Sequence, residues 1–381
     1  MPRTAHLMLG GGLAVLEDIS INSQVAVLAF VLGGLFGITA QRTNFCTMGA
    51  LSDVVFIGDW NRFRAWMLAI AVAMLASQGL ELFGTVDLSA SIYRSVNLGW
   101  LGAIIGGLMF GFGMTLAGGC ANKTLVRLGG GNLKSIVVAV VLGIFAYMTL
   151  RGLIGLARVE LQAFSMIDVS SWGAVNQGLP ELLAALGAPV VPARIAVAAA
   201  IAGGLLLFCF KDAGFRRSPR DMGAGVIVGL LVAAAWIVTG VLGADEFDPV
   251  PLASMTFVAP IGEALQYLMT FTGATINFGI AAVGGIVAGA FLSALARREF
   301  HIESFADADD MLRHLLGAAL MGTGGVLALG CTIGQGVTGM STLSLGSLIA
   351  IAAIITGGLL GLKYQEEGSL GSAIAALVGR N

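Results

Sequence analysis

Two short cysteine-containing segments, in opposite halves of the chain, carry the residue types best suited to chemistry. One spans residues 116–123 around Cys120, and the other spans residues 328–335 around Cys331. Each segment follows a long apolar stretch, is rich in glycine and contains a Gly-Cys pair. Glycine permits a break in a helix, and a neutral thiol is a weak hydrogen-bond donor that tolerates soft sulfur. The similarity of the two segments predicts an internal repeat whose broken helices place thiols at membrane depth.

A third cysteine lies in a polar segment, residues 41–50, that closes the first apolar stretch. Arg42 and Asn44 precede Cys46 in this segment. A helical turn that begins near Phe45 would point free N–H groups at a ligand, so the segment predicts an anion attracted toward Cys46. The alternative is that Arg42 only extends to the membrane surface beside its helix.

Polar residues follow both Gly-Cys pairs. Asn122 and Lys123 follow the first pair, and Thr332 and Gln335 follow the second. We expect these side chains to line a polar path, because lipid does not tolerate them without partners or water. The alternatives are that the cysteines act as small hydrophobic residues and that the polar groups hold helices together.

The composition places the chain in a lipid bilayer. Apolar residues make up 57% of the chain and charged residues 11%, whereas soluble domains carry about 25% charge. A formal net charge of −2, with no basic patch, argues against a nucleic-acid partner. No phosphate-binding or dinucleotide-binding motif occurs, and the three histidines are scattered. We therefore predict no cofactor and no metal site.

Apolar length defines the predicted elements, because a span needs roughly 20 apolar residues. The sequence predicts an all-α membrane protein with about nine transmembrane helices, at residues 24–40, 64–83, 99–117, 133–156, 192–210, 222–243, 273–296, 312–329 and 343–362. Shorter apolar pieces are predicted to be re-entrant half-helices, at residues 45–57, 121–128, 251–270, 332–340 and 370–378.

Basic loops set the predicted orientation, since Lys and Arg accumulate on the cytoplasmic side. The loop 211–220 is basic and should be cytoplasmic, whereas the acidic loop 245–249 should lie outside. The N-terminus is then outside and the C-terminus inside, so the Cys120 and Cys331 segments enter from opposite sides. We predict a lead-in over residues 1–23, a first inverted repeat over 24–210, a basic linker over 211–221 and a second repeat over 222–381.

Three motifs resemble those of the YeeE/YedE family of bacterial inner-membrane proteins. They are residues 42–50, 117–121 and 329–336. The resemblance implies an hourglass of spanning and half-length helices, and uptake of thiosulfate by hydrogen bonds to successive S–H groups. Those roles would fall on Cys120 and Cys331, with Cys46 near the cytoplasmic side.

The chain departs from the family pattern in one place. The resemblance implies a further pore thiol ahead of the last Gly-Cys motif, but no cysteine occurs between Phe210 and Gly330. We expect Asn277 or Thr275, at the start of the span that follows, to substitute for it, because an amide or a hydroxyl can hydrogen-bond an oxyanion although neither is a thiol. The departure leaves thiosulfate and related sulfur or selenium anions open as substrates.

Two other functions remain open from the sequence. One is a membrane sulfur-relay enzyme, in which Cys120 or Cys331 carries a persulfide to a cytosolic sulfurtransferase of the TusA-like type. This alternative needs a reactive thiolate, and Lys123 is the nearby cation that would favour it. The other is a channel for neutral solutes. We favour a transporter that is not an enzyme, with a small sulfur-containing anion as its substrate.

Overall fold

The computed structural model describes residues 20–245, 249–305 and 307–377. The predicted lead-in over residues 1–23 therefore falls largely outside the described residues. The same holds for most of the acidic loop 245–249. Helix α1 begins at Ile21, within the stretch assigned to the lead-in.

Helices dominate the described chain, because backbone groups in lipid must be paired within their own segment. The first half contains α1 (Ile21–Thr43), α2 (Thr47–Ser52), α3 (Asn61–Leu82), α4 (Trp100–Leu116), α5 (Ala121–Gly129), α6 (Leu133–Arg151), α7 (Leu153–Ser165), α8 (Leu179–Ala185) and α9 (Val190–Phe210). The second half contains α10 (Ala213–Arg216), α11 (Pro219–Ile237), α12 (Val258–Met269), α13 (Phe278–Ala296), α14 (Ala308–Leu327), α15 (Leu345–Glu367) and α16 (Leu370–Leu377). Two short strands, β1 (Asn97–Gly99) and β2 (Met166–Asp168), pair antiparallel.

The prediction of an all-α membrane protein is confirmed. Among the described residues, eight helices are long and apolar enough to cross a bilayer. The predicted span that is not among these eight, residues 312–329, corresponds to α14, which has 20 residues but carries Asp309 and Asp310 in its first turn. Acidic residues at a helix N-terminus are stabilised by the helix dipole. Helix α14 therefore begins at Ala308, four residues before the predicted apolar start at residue 312.

In two of the predicted spans, a single residue accounts for the difference between the predicted and the observed bounds. The span predicted over 133–156 ends at Arg151, because Gly152 adopts an extended conformation and a separate helix follows it. The span predicted over 273–296 begins only at Phe278. Asn277 caps this helix by accepting a hydrogen bond from the Ile280 N–H, which fixes the start.

The predicted half-helices are short helical pieces in the structure. Residues 45–57 form α2 and a π-helical turn (Asp53–Ile57), and residues 332–340 contain a second π-helical turn (Gly334–Gly339). Helices α5, α12 and α16 account for the other three pieces. These interruptions supply the irregular backbone on which the site is built.

Helices from the two halves pack against each other reciprocally. Helix α1 packs on α13 while α3 packs on α11, and α4 packs on both α14 and α15 while α6 packs on α14. Such reciprocal packing of helices is expected when the two halves of a chain are related by an internal two-fold axis. The assignment of residues 24–210 and 222–381 as inverted repeats stays a prediction.

Glycine allows the closest of these approaches. A Cβ added at Gly111 of α4 would collide with the main-chain carbonyl of Ile354 in α15. Small residues at membrane helix contacts increase van der Waals packing where lipid offers no hydrophobic driving force. The abundance of glycine therefore reflects helix packing as well as chain breaks.

Candidate functional site

Cys46 and Cys120 meet inside the protein although 74 residues separate them. Their sulfur atoms lie 3.6 Å apart. Cys46 immediately precedes the first turn of α2, and Cys120 immediately precedes α5. Cys46, Cys120 and Cys331 are 5%, 0% and 1% exposed, so none of the three faces lipid.

Left-handed residues create the breaks that bring these two thiols together. Asn44 ends α1 with a φ of 54°, and Gly118 follows α4 with a φ of +66°. Glycine adopts this conformation without a Cβ clash, and asparagine tolerates it better than most residues. Each helix therefore ends just before a cysteine, and the chain resumes as a half-helix.

Asn122 ties the first two cysteine segments together. The Cys120 thiol donates a hydrogen bond to the Asn122 side-chain oxygen. The Asn122 amide nitrogen donates in turn to the Phe45 carbonyl at 3.4 Å, next to Cys46. The structure thus brings Cys46, Cys120 and Asn122, three of the predicted site residues, into one buried cluster.

The Cys331 segment borders the same cluster. The Gly334 N–H donates to the Cys331 sulfur at 3.4 Å. The Thr332 side chain lies beside the Cys120 thiol. Its buried hydroxyl has no hydrogen-bond partner among the described residues. Thr332 is therefore positioned between two thiol segments with a donor available to a ligand.

Sequence analysis missed the residues on the far side of Cys331. Tyr93 is buried beside Cys331, and its hydroxyl lies close to the Thr256 side chain. Thr256 directly precedes Phe257, the residue before α12, and so occupies a chain break like that of Cys46. Only the packing of the segment before α12 brings Thr256 to this place, so no pattern in the sequence marks it.

Gln335 and Asn277 are placed differently from the thiol cluster. The Gln335 amide nitrogen donates to the Ala328 carbonyl, so this side chain holds the end of α14. Asn277 is exposed and donates to Glu263 at 2.8 Å. None of the contacts described for Asn277 involves a cysteine, and its assignment to the pathway stays a prediction.

A polar vestibule of about 560 Å³ leads to Cys46. Basic side chains outnumber acidic ones in its wall, which contains Arg62, Lys123, Arg127, Arg220, Asp53, Asp59 and Asp221. The Lys123 ammonium donates to the Asn44 side-chain oxygen at 2.9 Å. The vestibule thus offers positive charge where an anion would approach the first thiol.

Arginines other than the predicted one supply much of that charge. Arg62 pairs with Asp53 at 2.8 Å and also donates to the Asn44 carbonyl at 2.9 Å. Arg42 itself is exposed, and its carbonyl accepts a hydrogen bond from Arg220. Arg62 and Arg220 belong to other helices, so no spacing along the sequence marks them as neighbours of Cys46.

Metal ligation is not a feature of the described residues. No group of three or more His, Cys, Asp or Glu side chains within residues 20–245, 249–305 and 307–377 is arranged to hold a metal ion. The chemistry that the cluster offers is hydrogen bonding from thiols, a hydroxyl and amides.

Comparison with known proteins gives a consistent result. A family profile described as sulphur transport matches residues 42–360. The thiosulfate transporter TsuA of Escherichia coli strain K12 is 29% identical over 81% of this chain and 85% of its own length. TsuA of Spirochaeta thermophila is 28% identical over 82% of this chain and 91% of its own length. The probable transporter YedE of Escherichia coli is 31% identical over 28% of this chain and 25% of its own length.

These matches confirm the predicted resemblance to the YeeE/YedE proteins. They do not favour the sulfur-relay enzyme, because the relatives are named as transporters.

Proposed function

Because the chain belongs to the sulphur transport family, we propose that it carries thiosulfate, or a closely related sulfur-containing anion, across the membrane. It is a transporter and not an enzyme, in agreement with the names of its relatives. The observation that carries the assignment to named residues is the contact of Cys46 with Cys120 at the inner end of a basic vestibule.

The physics of transport favours several weak donors over one strong site. A bare oxyanion cannot enter hydrocarbon, so each step must replace lost water with hydrogen bonds. Lys123 and the neighbouring arginines attract the anion, and the thiols of Cys46, Cys120 and Cys331 then offer weak donors in succession, with Thr332 between them. Binding that is weak and repeated allows the anion to leave as well as to enter.

Uptake of labelled thiosulfate into proteoliposomes tests the thiol path. We expect Cys120→Ala and Cys331→Ala to reduce uptake about ten- to a hundredfold, since a hydrogen bond to a charged group contributes about 1.5–3 kcal/mol. Cys209→Ala is the matched control, because this buried thiol donates only to the Arg64 carbonyl, outside the cluster. Normal uptake by both pathway variants would refute the proposal.

The vestibule is tested separately through ionic strength. Lys123→Ala removes a cation from the wall and should lower uptake most at low salt, where electrostatic attraction is least screened. Initial rates at two salt concentrations, compared with Lys123→Arg, measure this effect. An equal loss at both concentrations would argue against electrostatic capture.

We further propose the bacterial inner membrane as the location, with the vestibule and the basic linker facing the cytoplasm and the N-terminus outside. The basic side chains at residues 211–220 support this orientation. The inverted repeats over residues 24–210 and 222–381 follow from it. Labelling of an engineered cysteine at Ser218, which lines the vestibule, by a membrane-impermeant maleimide tests it. Labelling of intact cells would contradict the orientation.

A cytosolic sulfurtransferase of the TusA-like type is the protein partner that we propose at this face. The vestibule supports the proposal because its charged wall is open to a partner on the same side as the predicted exit. Co-purification of the two proteins, with Arg220→Glu as the variant expected to weaken it, tests the contact. Equal co-purification of the variant would exclude this face.

A further inference from the structure

Two hydroxyl groups border Cys331 at one end of the thiol cluster. Tyr93 lies beside Cys331, and the Tyr93 hydroxyl is close to the Thr256 side chain. Both hydroxyls also lie against Gly334, because a Cβ added there would stand 3.6 Å from the Tyr93 hydroxyl oxygen and nearer still to that of Thr256. The Gly334 N–H donates to the Cys331 sulfur at 3.4 Å. One thiol and two hydroxyls therefore surround a single glycine.

The absence of a side chain at Gly334 lets the Thr256 hydroxyl come this close. A Cβ at this position would collide with the Thr256 side chain, so a larger residue would push the hydroxyl away from the Cys331 segment. The hydroxyl of Thr338, four residues further on, donates to the Met255 carbonyl at 2.7 Å and holds the residue before Thr256. The Thr256 segment is thus fixed against the Cys331 segment at two points.

Tyr93 is held in place by packing and by the charged residue that follows it. Its ring packs edge-on against Trp236, with ring centroids 6.4 Å apart, and the residue is 4% exposed. Arg94 pairs with Glu81 at 2.6 Å and donates to the Thr342 carbonyl at 2.8 Å. Groups that are fixed before a ligand arrives lose less conformational entropy when it binds. The Tyr93 hydroxyl is therefore a pre-organised donor beside Cys331.

Tyr93 lies at the opposite end of the thiol series from the vestibule. The vestibule reaches Cys46 and is lined by Gly118, just past the end of α4. Tyr93 lines a small cavity together with Gly99, at the start of the same helix. This cavity of about 20 Å³ has space for a single water molecule and is too small for a sulfur oxyanion. An anion at this end must therefore displace side chains and contact Tyr93.

The pairing of hydroxyls with a thiol matches the two chemical ends of a sulfur oxyanion such as thiosulfate. Thiosulfate presents one terminal sulfur and three oxygens as hydrogen-bond acceptors. A hydroxyl forms short hydrogen bonds to charged oxygens, whereas a thiol is a weak donor that accommodates sulfur. An anion beside Gly334 can therefore direct its oxygens toward the hydroxyls and its sulfur toward Cys331.

We propose that Tyr93 and Thr256 determine the specificity of this transporter, by binding the oxygens of a sulfur oxyanion while Cys331 contacts its terminal sulfur. This role deepens the proposed function and rests on it. The two hydroxyls take the place of the further thiol that the family pattern implies and that this chain lacks between Phe210 and Gly330. Sulfate, in which an oxygen replaces the terminal sulfur, should therefore bind at the hydroxyls and compete with thiosulfate.

Thiosulfate uptake into proteoliposomes, with unlabelled sulfate as the competitor, tests the two hydroxyls. We expect Tyr93→Phe and Thr256→Val to raise the KM for thiosulfate about ten- to a hundredfold, the effect of one lost hydrogen bond to a charged group. Thr256→Ser keeps the hydroxyl and should retain the wild-type KM. Tyr364→Phe is the matched control for the tyrosine, because the Tyr364 ring packs on Phe112, outside the thiol cluster.

The Thr256→Cys variant separates specificity from packing. A thiol at this position should support thiosulfate uptake but require about tenfold more sulfate for half-inhibition, because a thiol donates only weakly to oxygen. A purely structural role would instead raise the KM equally in Thr256→Ser, Thr256→Cys and Thr256→Val and leave the preference for thiosulfate over sulfate unchanged. That result would overturn the inference.

Binding of labelled thiosulfate and labelled sulfate to the purified full-length protein distinguishes this inference from the proposed function. Binding that Tyr93→Phe and Thr256→Val weaken, in a protein that does not transport thiosulfate, preserves the site and overturns the function. Thiosulfate uptake with an unchanged KM in both variants overturns the site and leaves the function standing. A wild-type protein that neither binds nor transports these anions contradicts both.

Discussion

A buried ion-pair cluster between α3 and α9 makes a sharp prediction about stability. Glu81 accepts from Arg94 at 2.6 Å and from Arg194 at 2.9 Å, and Glu181 accepts from Arg194 at 2.6 Å. The Arg94 side chain is 0% exposed, and the Glu81 side chain is 7% exposed. Arg94 also donates to the Thr342 carbonyl at 2.8 Å, which joins this cluster to the second half of the chain.

Replacing Arg94 with methionine keeps the side-chain volume but removes the charge. Two buried carboxylates then share Arg194 alone, and the Thr342 carbonyl loses its donor. Breaking a buried pair costs about 3–5 kcal/mol, mainly because the remaining charge is left without compensation. Glu81→Gln in the same chain removes one of the two carboxylates, so the double variant should recover at least about half of that loss.

Reversible denaturation in mixed detergent micelles measures these free energies of unfolding. Arg313→Met is the control, because Arg313 pairs with Asp310 while 51% exposed, and exposed pairs contribute about 0–1 kcal/mol. A loss below about 1 kcal/mol for Arg94→Met would refute the reasoning. So would a double variant less stable than Arg94→Met, because the two side chains would then contribute independently.

Two further predictions concern helix packing and the thiol pair. Gly111→Ala should lower the unfolding free energy by about 1–3 kcal/mol, because its Cβ meets a main-chain carbonyl. Gly204→Ala, in open space on α9, should be neutral or stabilising by up to about 1 kcal/mol in the same assay. Mild oxidation should link Cys46 to Cys120, whose sulfurs are 3.6 Å apart, and block uptake until a reductant is added. Peptide mass spectrometry identifies the link, and uptake that survives complete linkage would contradict a path between these thiols.

Local sequence features determined the membrane class and most of the helices. Apolar length and breaks at glycine and asparagine act within a few residues, so the spans and half-helices follow from the chain alone. The bounds that failed depend on single residues, such as the extended Gly152 and the cap at Asn277. Hydropathy averages over a window and does not register such residues.

The tertiary structure alone decided which side chains share a site. The sequence identified Cys46 and Cys120 as thiols of interest, but the packing of α5 against α1 accompanies the sulfur-to-sulfur contact and is not visible in the sequence. The tertiary structure also brought Arg62 to the vestibule and placed Asn277 apart from the cysteines. Segment composition encodes whether a helix forms, whereas its neighbours depend on side-chain packing between segments far apart in the chain.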